Sequence, residues 1–337
     1  MKEILVIRLS AIGDILLTTP VVGRLKKLFP EARITFLVKE RYTDFIAACP
    51  DVDKIETWKE GQSIFAVRTA LHAEVARYNL VLDLQSNLKT RLLSLILSAE
   101  QKRRYRKPYL NRILLVYLKK NRYPEKKKVT DRYFETLAGI DDVQRSEVVH
   151  LRRDKLPKKL ERFAAEKPVL IAPGARWATK RWPVEYFASL ASKILEKHPQ
   201  KKIIWLGGSD ESGVFEFLKE HPYLKRHTKR MEFLCNELSV TQMPALADMA
   251  AVVITNDSGL MHLLSAAKTP LIALFLSTVE EFGFFPLSAK AEVLTARNIE
   301  CRPCNHKGLD ACPKKHFRCA RELTADQVYG AVARHIN

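Results

Sequence analysis

The chain alternates short apolar runs with longer segments whose apolar residues recur at helical spacing. Residues 4–9, 33–38 and 80–84 are nearly continuous apolar runs of strand length. That is the pattern of parallel strands covered on both faces. Residues 15–29, 64–77 and 88–98 carry helical spacing. In the first of these Leu16, Thr19, Val22 and Leu25 are the expected buried positions, and Pro30 ends the helix. Strand and helix patterns in alternation predict a doubly wound α/β domain. A polar, charged stretch over 141–167 then reads as the end of one domain and a linker.

After that stretch the pattern restarts. Strands are expected at 168–172, 202–207, 252–255 and 271–276, with a turn at Pro173-Gly174-Ala175. Pro183 suits the first turn of a helix reaching about Lys197. Residues 324–336 predict a closing helix with Asp326 in its first turn. The expectation is two α/β domains in tandem: 1–150, a linker at 151–167, a second domain at 168–323, and a terminal helix at 324–337.

Composition narrows the class. With 337 residues, 47% hydrophobic and 28% charged, the chain has ample material for buried cores without disulfides. No apolar run reaches bilayer-spanning length, and the N-terminal pattern is a strand rather than a signal peptide, so a cytoplasmic location is the default expectation. The net charge of +19 points to anionic partners: nucleic acid, anionic lipid or phosphorylated substrates. The excess is concentrated, with thirteen Lys/Arg against three acids between Glu100 and Arg132. Within it, Leu110, Ile113, Leu114, Tyr117 and Leu118 form an apolar helical face beside Arg112, Lys119 and Lys120. Lys102, Arg103, Arg104, Arg106, Lys107 and Lys126-Lys127-Lys128 flank that face. It fits a helix lying on an anionic membrane, and equally a core-packing helix with a solvated basic rim.

Candidate chemistry sits where strands give way to helices. Asn256-Asp257-Ser258-Gly259-Leu260-Met261-His262 follows an apolar run and opens a helical segment over 259–267. A helix N-terminus offers unpaired N–H groups to an anion, and Gly259 allows close approach. The same residues also suit an ordinary Asp/Ser cap. Asp14, at the first turn of the first domain, is a candidate general base or a helix cap. Lys180, in Lys180-Arg181-Trp182-Pro183, is a candidate phosphate partner or a solvated loop charge. Glu211, after Gly207-Gly208-Ser209-Asp210, suits ribose hydroxyls or a helix cap. Neither domain has a Gly-x-Gly-x-x-Gly turn or a P-loop, which argues against dinucleotide oxidoreductases and Walker-type NTPases. Cys301, Cys304, Cys312 and Cys319 are spaced for a structural zinc or iron; four reduced thiols are the competing reading.

Three segments together resemble glycosyltransferase family nine, the ADP-heptose:lipopolysaccharide heptosyltransferases. They are residues 7–14 (IRLSAIGD), Pro173-Gly174-Ala175 with Lys180-Arg181-Trp182-Pro183, and residues 255–262 (TNDSGLMH). The wording of the last two is most similar to the heptosyltransferase II branch. The resemblance implies a GT-B fold, two Rossmann-like domains facing across a cleft, and inverting transfer without a catalytic metal. It implies Asp14 as general base, Lys180 at the donor phosphates, and Asp257, Ser258, Gly259, His262 and Glu211 around the donor. Arg103, Arg104 and Arg106 are then expected to meet a phosphorylated lipopolysaccharide core at the cytoplasmic face of an anionic inner membrane. The resemblance also brings a cysteine finger that binds iron in some relatives. A nucleic-acid-binding protein is the rival of another class, with Tyr105, Tyr109, Tyr117 and Tyr123 among the basic residues. It leaves Asp14 and the Ser258 turn without a use, so no nucleic-acid partner is expected.

Overall fold

A computed structural model describes residues 2–123, 127–140 and 148–336. Lys126 of the basic run and residues 141–147 of the polar stretch lie outside the described residues. The chain divides into two compact units. The first comprises Met1–Tyr109, Lys126–Arg152 and Gly283–Phe285; the second comprises Leu110–Glu125, Arg153–Phe282 and Pro286–Asn337. The segment 110–125 therefore groups with the second unit, which a single boundary near residue 150 does not anticipate.

The first unit runs β1 (Glu3–Ile7), α1 (Ile12–Leu16), α2 (Thr19–Leu28), β2 (Arg33–Lys39), α3 (Thr43–Ala47), β3 (Lys54–Trp58), α4 (Ile64–His72), β4 (Tyr78–Asp83), α5 (Leu88–Ile96) and β5 (Ala99–Arg104). After α6 (Tyr109–Tyr117), which falls almost wholly in the second unit, α7 (Val129–Phe134) returns to the first. The sheet order is β3-β2-β1-β4-β5 and every pairing is parallel. The order reverses between β1 and β4, which pair from Ile4↔Leu80 to Ile7↔Asp83. Ile4, Leu5, Val6 and Ile7 are fully buried, as a central strand covered on both faces requires.

One helix expected over 15–29 is two. Pro20 has no N–H to give to Leu16, so the ladder breaks there. The Thr18 and Thr19 hydroxyls donate instead to Ile15 O (2.6 Å) and Leu16 O (2.8 Å). The first of the two helices also begins earlier, at Ile12, so Asp14 lies inside it rather than on the turn before it.

The second unit continues with α8 (Lys158–Glu161), β6 (Val169–Ala172), α9 (Val184–Lys197), β7 (Ile203–Gly207), α10 (Ser212–Glu220), α11 (Pro222–Lys225), β8 (Met231–Cys235), α12 (Gln242–Met249), β9 (Val252–Asn256), α13 (Gly259–Leu264), β10 (Leu271–Leu274), β11 (Ala291–Leu294), α14 (Arg318–Arg321) and α15 (Ala325–Ile336). Its parallel sheet has the order β11-β10-β9-β6-β7-β8, reversing between β6 and β9. Each face of the sheet carries its own core. Trp205, Phe187, Phe215 and Val328 belong to one, and Leu170, Ile204, Val253 and Met261 to the other. The terminal helix α15 belongs to the first of these cores through Val328, Ala331, Val332 and Ile336.

Candidate functional site

In open α/β sheets ligands bind beyond the carboxyl ends of the strands, where strand order reverses. Each unit has one such point, and each carries charged side chains that the fold has locked in place.

In the first unit the point lies between β1 and β4. Arg8 directly follows β1 and is buried. Its Nη1 donates to Leu84 O at 2.6 Å, and its Nη2 pairs with Asp14 Oδ1 at 2.5 Å. The Tyr133 hydroxyl, from α7, donates to the same Oδ1 at 3.3 Å. Asp14 Oδ2 receives only a long bond, from Ala11 N at 3.4 Å. One carboxylate oxygen is thus committed twice and the other is nearly open, on a side chain 23% exposed. Burial by itself lowers the Arg8 guanidinium, but Asp14 and the two tyrosines outweigh it and the net direction is up, so Arg8 stays charged. Burial pushes the Tyr133 hydroxyl well above the ordinary tyrosine value, which keeps it a donor. Gln85 Oε1 accepts from Leu9 N and Ser10 N, tying the β4 turn to the turn after β1. Asp83 Oδ1 accepts from Gln85 N (3.1 Å) and Ser86 N (2.7 Å), fixing that turn.

In the second unit the point lies between β6 and β9. Asn256 ends β9 and knits three loops: its Nδ2 donates to Pro173 O (2.6 Å) and its Oδ1 accepts from Trp182 N (3.2 Å). Asp257 Oδ2 pairs with Lys180 Nζ at 2.6 Å and accepts from Thr278 Oγ1 at 2.5 Å. The two charged side chains are 15% and 5% exposed, so the pair is largely desolvated. Ser258 caps α13, its Oγ accepting from Met261 N at 3.2 Å. Gly259 opens that helix and His262 is buried within it. Glu211 Oε2 accepts from Gly208 N at 2.8 Å. Its other oxygen lies 2.4 Å from where a Cβ on Gly174 would stand, so the Gly174 turn exists to pass that carboxylate. The fold therefore gathers Lys180, Asp257, Ser258, Gly259 and Glu211 at one end of one sheet.

Other expected site residues fare differently. Lys102, Arg103 and Arg104 do not flank a helix in an irregular segment; they belong to edge strand β5. Arg103 Nη1 donates to the carbonyls of Thr136 (3.2 Å) and Ala138, so it ties down the backbone after α7. Arg104 and Arg106 are exposed. Helix α6 packs along one side only. It buries Leu115 and Val116 and leaves Leu110, Ile113 and Tyr117 on an exposed face. Lys119 does not join that face as a solvated charge, because its Nζ donates to Val116 O, Cys301 O and Pro303 O.

Cys301, Cys304, Cys312 and Cys319 lie close enough to feel one another's charge, without a closed cage of ligands. Among the described residues no group of three or more His, Cys, Asp or Glu is arranged to hold a metal ion. Cys319 is packed into a hydrophobic core, and burial pushes its thiol up to about 12. Burial also raises the Cys304 thiol to about 11, and its Sγ donates to Cys301 O at 3.6 Å. Cys301 Sγ lies 3.8 Å from His316 Nε2. The segment also acts as a buttress. Leu309 N donates to Thr179 Oγ1 (2.8 Å) and Thr179 N to Leu309 O (3.0 Å), which supports the turn that ends in Lys180.

Sequence reading missed Arg8, Tyr133 and Thr278 as parts of these sites. A cation just past a buried strand and six residues before Asp14 was the available signal for Arg8. Nothing local marks Tyr133 or Thr278, which arrive from distant elements.

The chain is similar to known proteins over most of its length. The chain is 27% identical over 324 residues to lipopolysaccharide heptosyltransferase 1 of Campylobacter coli, covering 91% of this chain and 92% of that one. It is 24% identical over 332 residues to lipooligosaccharide heptosyltransferase 2 of Campylobacter jejuni, covering 94% and 93%. Among solved structures, E. coli ADP-heptose LPS heptosyltransferase II superposes with a TM-score of 0.73 at 20% identity, over 100% of this chain and 98% of that one. These structural likenesses establish the GT-B fold of two Rossmann-like units. No helix among the described residues is long and apolar enough to cross a membrane. Residues 64–315, most of the chain, match the profile of glycosyltransferase family 9 (heptosyltransferase), and the chain belongs to that family.

Proposed function

We propose that this chain moves a heptose from ADP-heptose to the inner core of a lipopolysaccharide acceptor, with inversion at the anomeric carbon and without a catalytic metal. The observation that carries the reading is the desolvated Lys180–Asp257 pair beside the Ser258-capped turn, at the strand-order reversal of the second sheet. Asp257 holds the ammonium in place and leaves its other protons for a diphosphate. As the glycosidic bond to ADP breaks, charge grows on the leaving phosphate. Lys180 and the backbone N–H groups at Gly259 are preorganised to meet it. This is charge that a divalent cation supplies in other transferases. Glu211 accepts from the ribose hydroxyls, and His262 backs the donor turn.

Asp14 serves as general base. Its nearly open Oδ2 takes the proton of the acceptor hydroxyl while that oxygen attacks the anomeric carbon, through an oxocarbenium-like transition state. Arg8 and Tyr133 hold the other oxygen and so fix the direction of the base. Arg104 and Arg106, exposed, meet phosphates of the core, and the enzyme works at the cytoplasmic face of an anionic inner membrane.

The test is incubation with ADP-heptose and a panel of truncated lipopolysaccharide cores, read by mass, with and without a chelator. Transfer to one core, unaffected by chelation and lost in Asp14→Asn, is the expected result. A folded Asp14→Asn enzyme with near wild-type turnover removes the base assignment. Transfer to none of the cores moves the reading to a related transferase with another glycan acceptor.

A further inference from the structure

In the first unit, helices α4 and α5 pack together and present an apolar face left exposed among the described residues. Phe65 is 72% exposed, Leu88 76% and Leu95 71%, with Leu92 between the leucines. Leu88, Leu92 and Leu95 follow helical spacing along the outer side of α5, while Thr90 and Leu93 point into the core. Large exposed apolar side chains gathered on one face mark a contact surface rather than ordinary surface scatter.

The charges around this face are basic. Arg68 Nε donates to Ile96 O at 3.0 Å and Lys102 Nζ to Leu95 O at 2.9 Å, so two cations sit at the C-terminal end of the apolar stripe. Lys89 and Arg104 are exposed on α5 and on the neighbouring edge strand. The acids near this face in sequence are Glu100 on that strand and Glu60 and Glu74 on either side of α4, of which Glu74 is already paired with Arg33 and Lys54. Asn87 caps helix α5, right after the turn that Asp83 and Gln85 bind to the turn preceding Asp14. The apolar stripe thus starts at the switch point that holds Asp14.

We propose that this α4–α5 face docks on an anionic phospholipid bilayer, the leucines and Phe65 entering the acyl boundary and the cations meeting the headgroups. Insertion of apolar side chains ringed by Lys and Arg is how surface helices hold anionic membranes. The consequence for transfer, delivery of a lipid-borne acceptor toward Asp14, rests on the function proposed above. The docking itself does not.

The experiment uses the full chain, wild type and a Phe65→Ser/Leu95→Ser double variant, with phosphatidylglycerol vesicles and neutral phosphatidylcholine vesicles. Wild type is expected to co-sediment with the anionic vesicles and not with the neutral ones, the binding falling as salt is raised. The double variant is expected to partition at least about tenfold more weakly, since each side chain loses its transfer out of water. Both positions are solvent-facing, so the thermal midpoint stays unchanged. Turnover on a water-soluble truncated acceptor also stays unchanged, while turnover on acceptor embedded in vesicles falls with the partition. Unchanged vesicle binding in the double variant overturns the proposal. So does wild-type self-association that the variant abolishes, which assigns the face to a second copy of the chain. Absence of transfer to the soluble acceptor by wild type counts against the proposed function and leaves the docking result standing.

Discussion

Replacing Arg8 by lysine isolates what the buried guanidinium does. Arg8 sends one nitrogen to Leu84 O at 2.6 Å and another to Asp14 Oδ1 at 2.5 Å, in different directions. A lysine has a single nitrogen on a longer, softer stem and cannot replace a fork. Whichever partner it abandons, one hydrogen bond involving a charge is lost, about 1.5–3 kcal/mol of stability before any discount for solvent. If the Asp14 contact is the one lost, its partial exposure reduces the cost toward the lower end. The kinetic effect is larger than the structural one. Asp14 then keeps only the Tyr133 hydroxyl on Oδ1, and a base free to swing by about 1 Å loses on the order of a hundredfold in turnover. The proposed function assigns donor binding to the other unit's residues, so KM for ADP-heptose is expected to stay within about twofold. Urea unfolding and steady-state kinetics on Arg8→Lys measure both effects. A variant that loses stability but keeps turnover within about threefold shows that Arg8 is structural only. One whose KM rises with kcat unchanged places the residue in ground-state binding.

Four further outcomes are expected. Tyr133→Phe removes the 3.3 Å bond to Asp14 and is expected to cost about 0.5–1.5 kcal/mol, with kcat lowered less than in Arg8→Lys and the fold intact by circular dichroism. Lys180→Ala is expected to weaken ADP at least tenfold or so in calorimetry; it also leaves Asp257 buried beside Thr278 alone, destabilising by about 3–5 kcal/mol in urea. Gly308→Ala meets both a φ of +108° and a Cβ position 2.6 Å from Trp177 Cβ, so a loss of about 1–3 kcal/mol is expected, and ADP affinity falls with it if this segment buttresses the Lys180 turn. Burial raises the Cys49 and Cys319 thiols to about 12, so the folded chain keeps protons that the unfolded chain loses near pH 9. Stability is then fully present below that pH and falls as pH rises toward 12, by about 1.4 kcal/mol per pH unit for each thiol. A urea midpoint that does not move between pH 8 and pH 10.5 contradicts this.

The sequence by itself determined the class of the fold and the ends of the strands that matter. Central parallel strands are covered on both faces, so β1, β2, β4, β6, β7, β9 and β10 announce themselves as continuous apolar runs. The four strands it left unread, β3, β5, β8 and β11, are the four edges of the two sheets. Edge strands are half covered, and their burial is correspondingly partial, so no apolar run marks them. That is why the basic stretch around Arg103 looked like the flank of a helix. The break at Pro20 was hidden for another reason: apolar spacing continues across it, and only the lost hydrogen bond divides the helix.

At the sites the division is similar. The positions of Asp14, Lys180, Glu211 and the Asn256–Gly259 turn beyond strand ends were legible because apolar runs mark where the strands stop. Their partners were not. Arg8 on Asp14, Tyr133 arriving from α7, Thr278 on Asp257 and Leu309 behind Thr179 are contacts across 6 to 130 positions of chain. Local pattern carries no record of such distances. The cysteines divide differently: their clustering was legible and the direction of each thiol was not. Their spacing suited a metal, but spacing fixes only how close thiols lie along the chain. Packing turned Cys319 into a core, and only the tertiary structure decides where a thiol points.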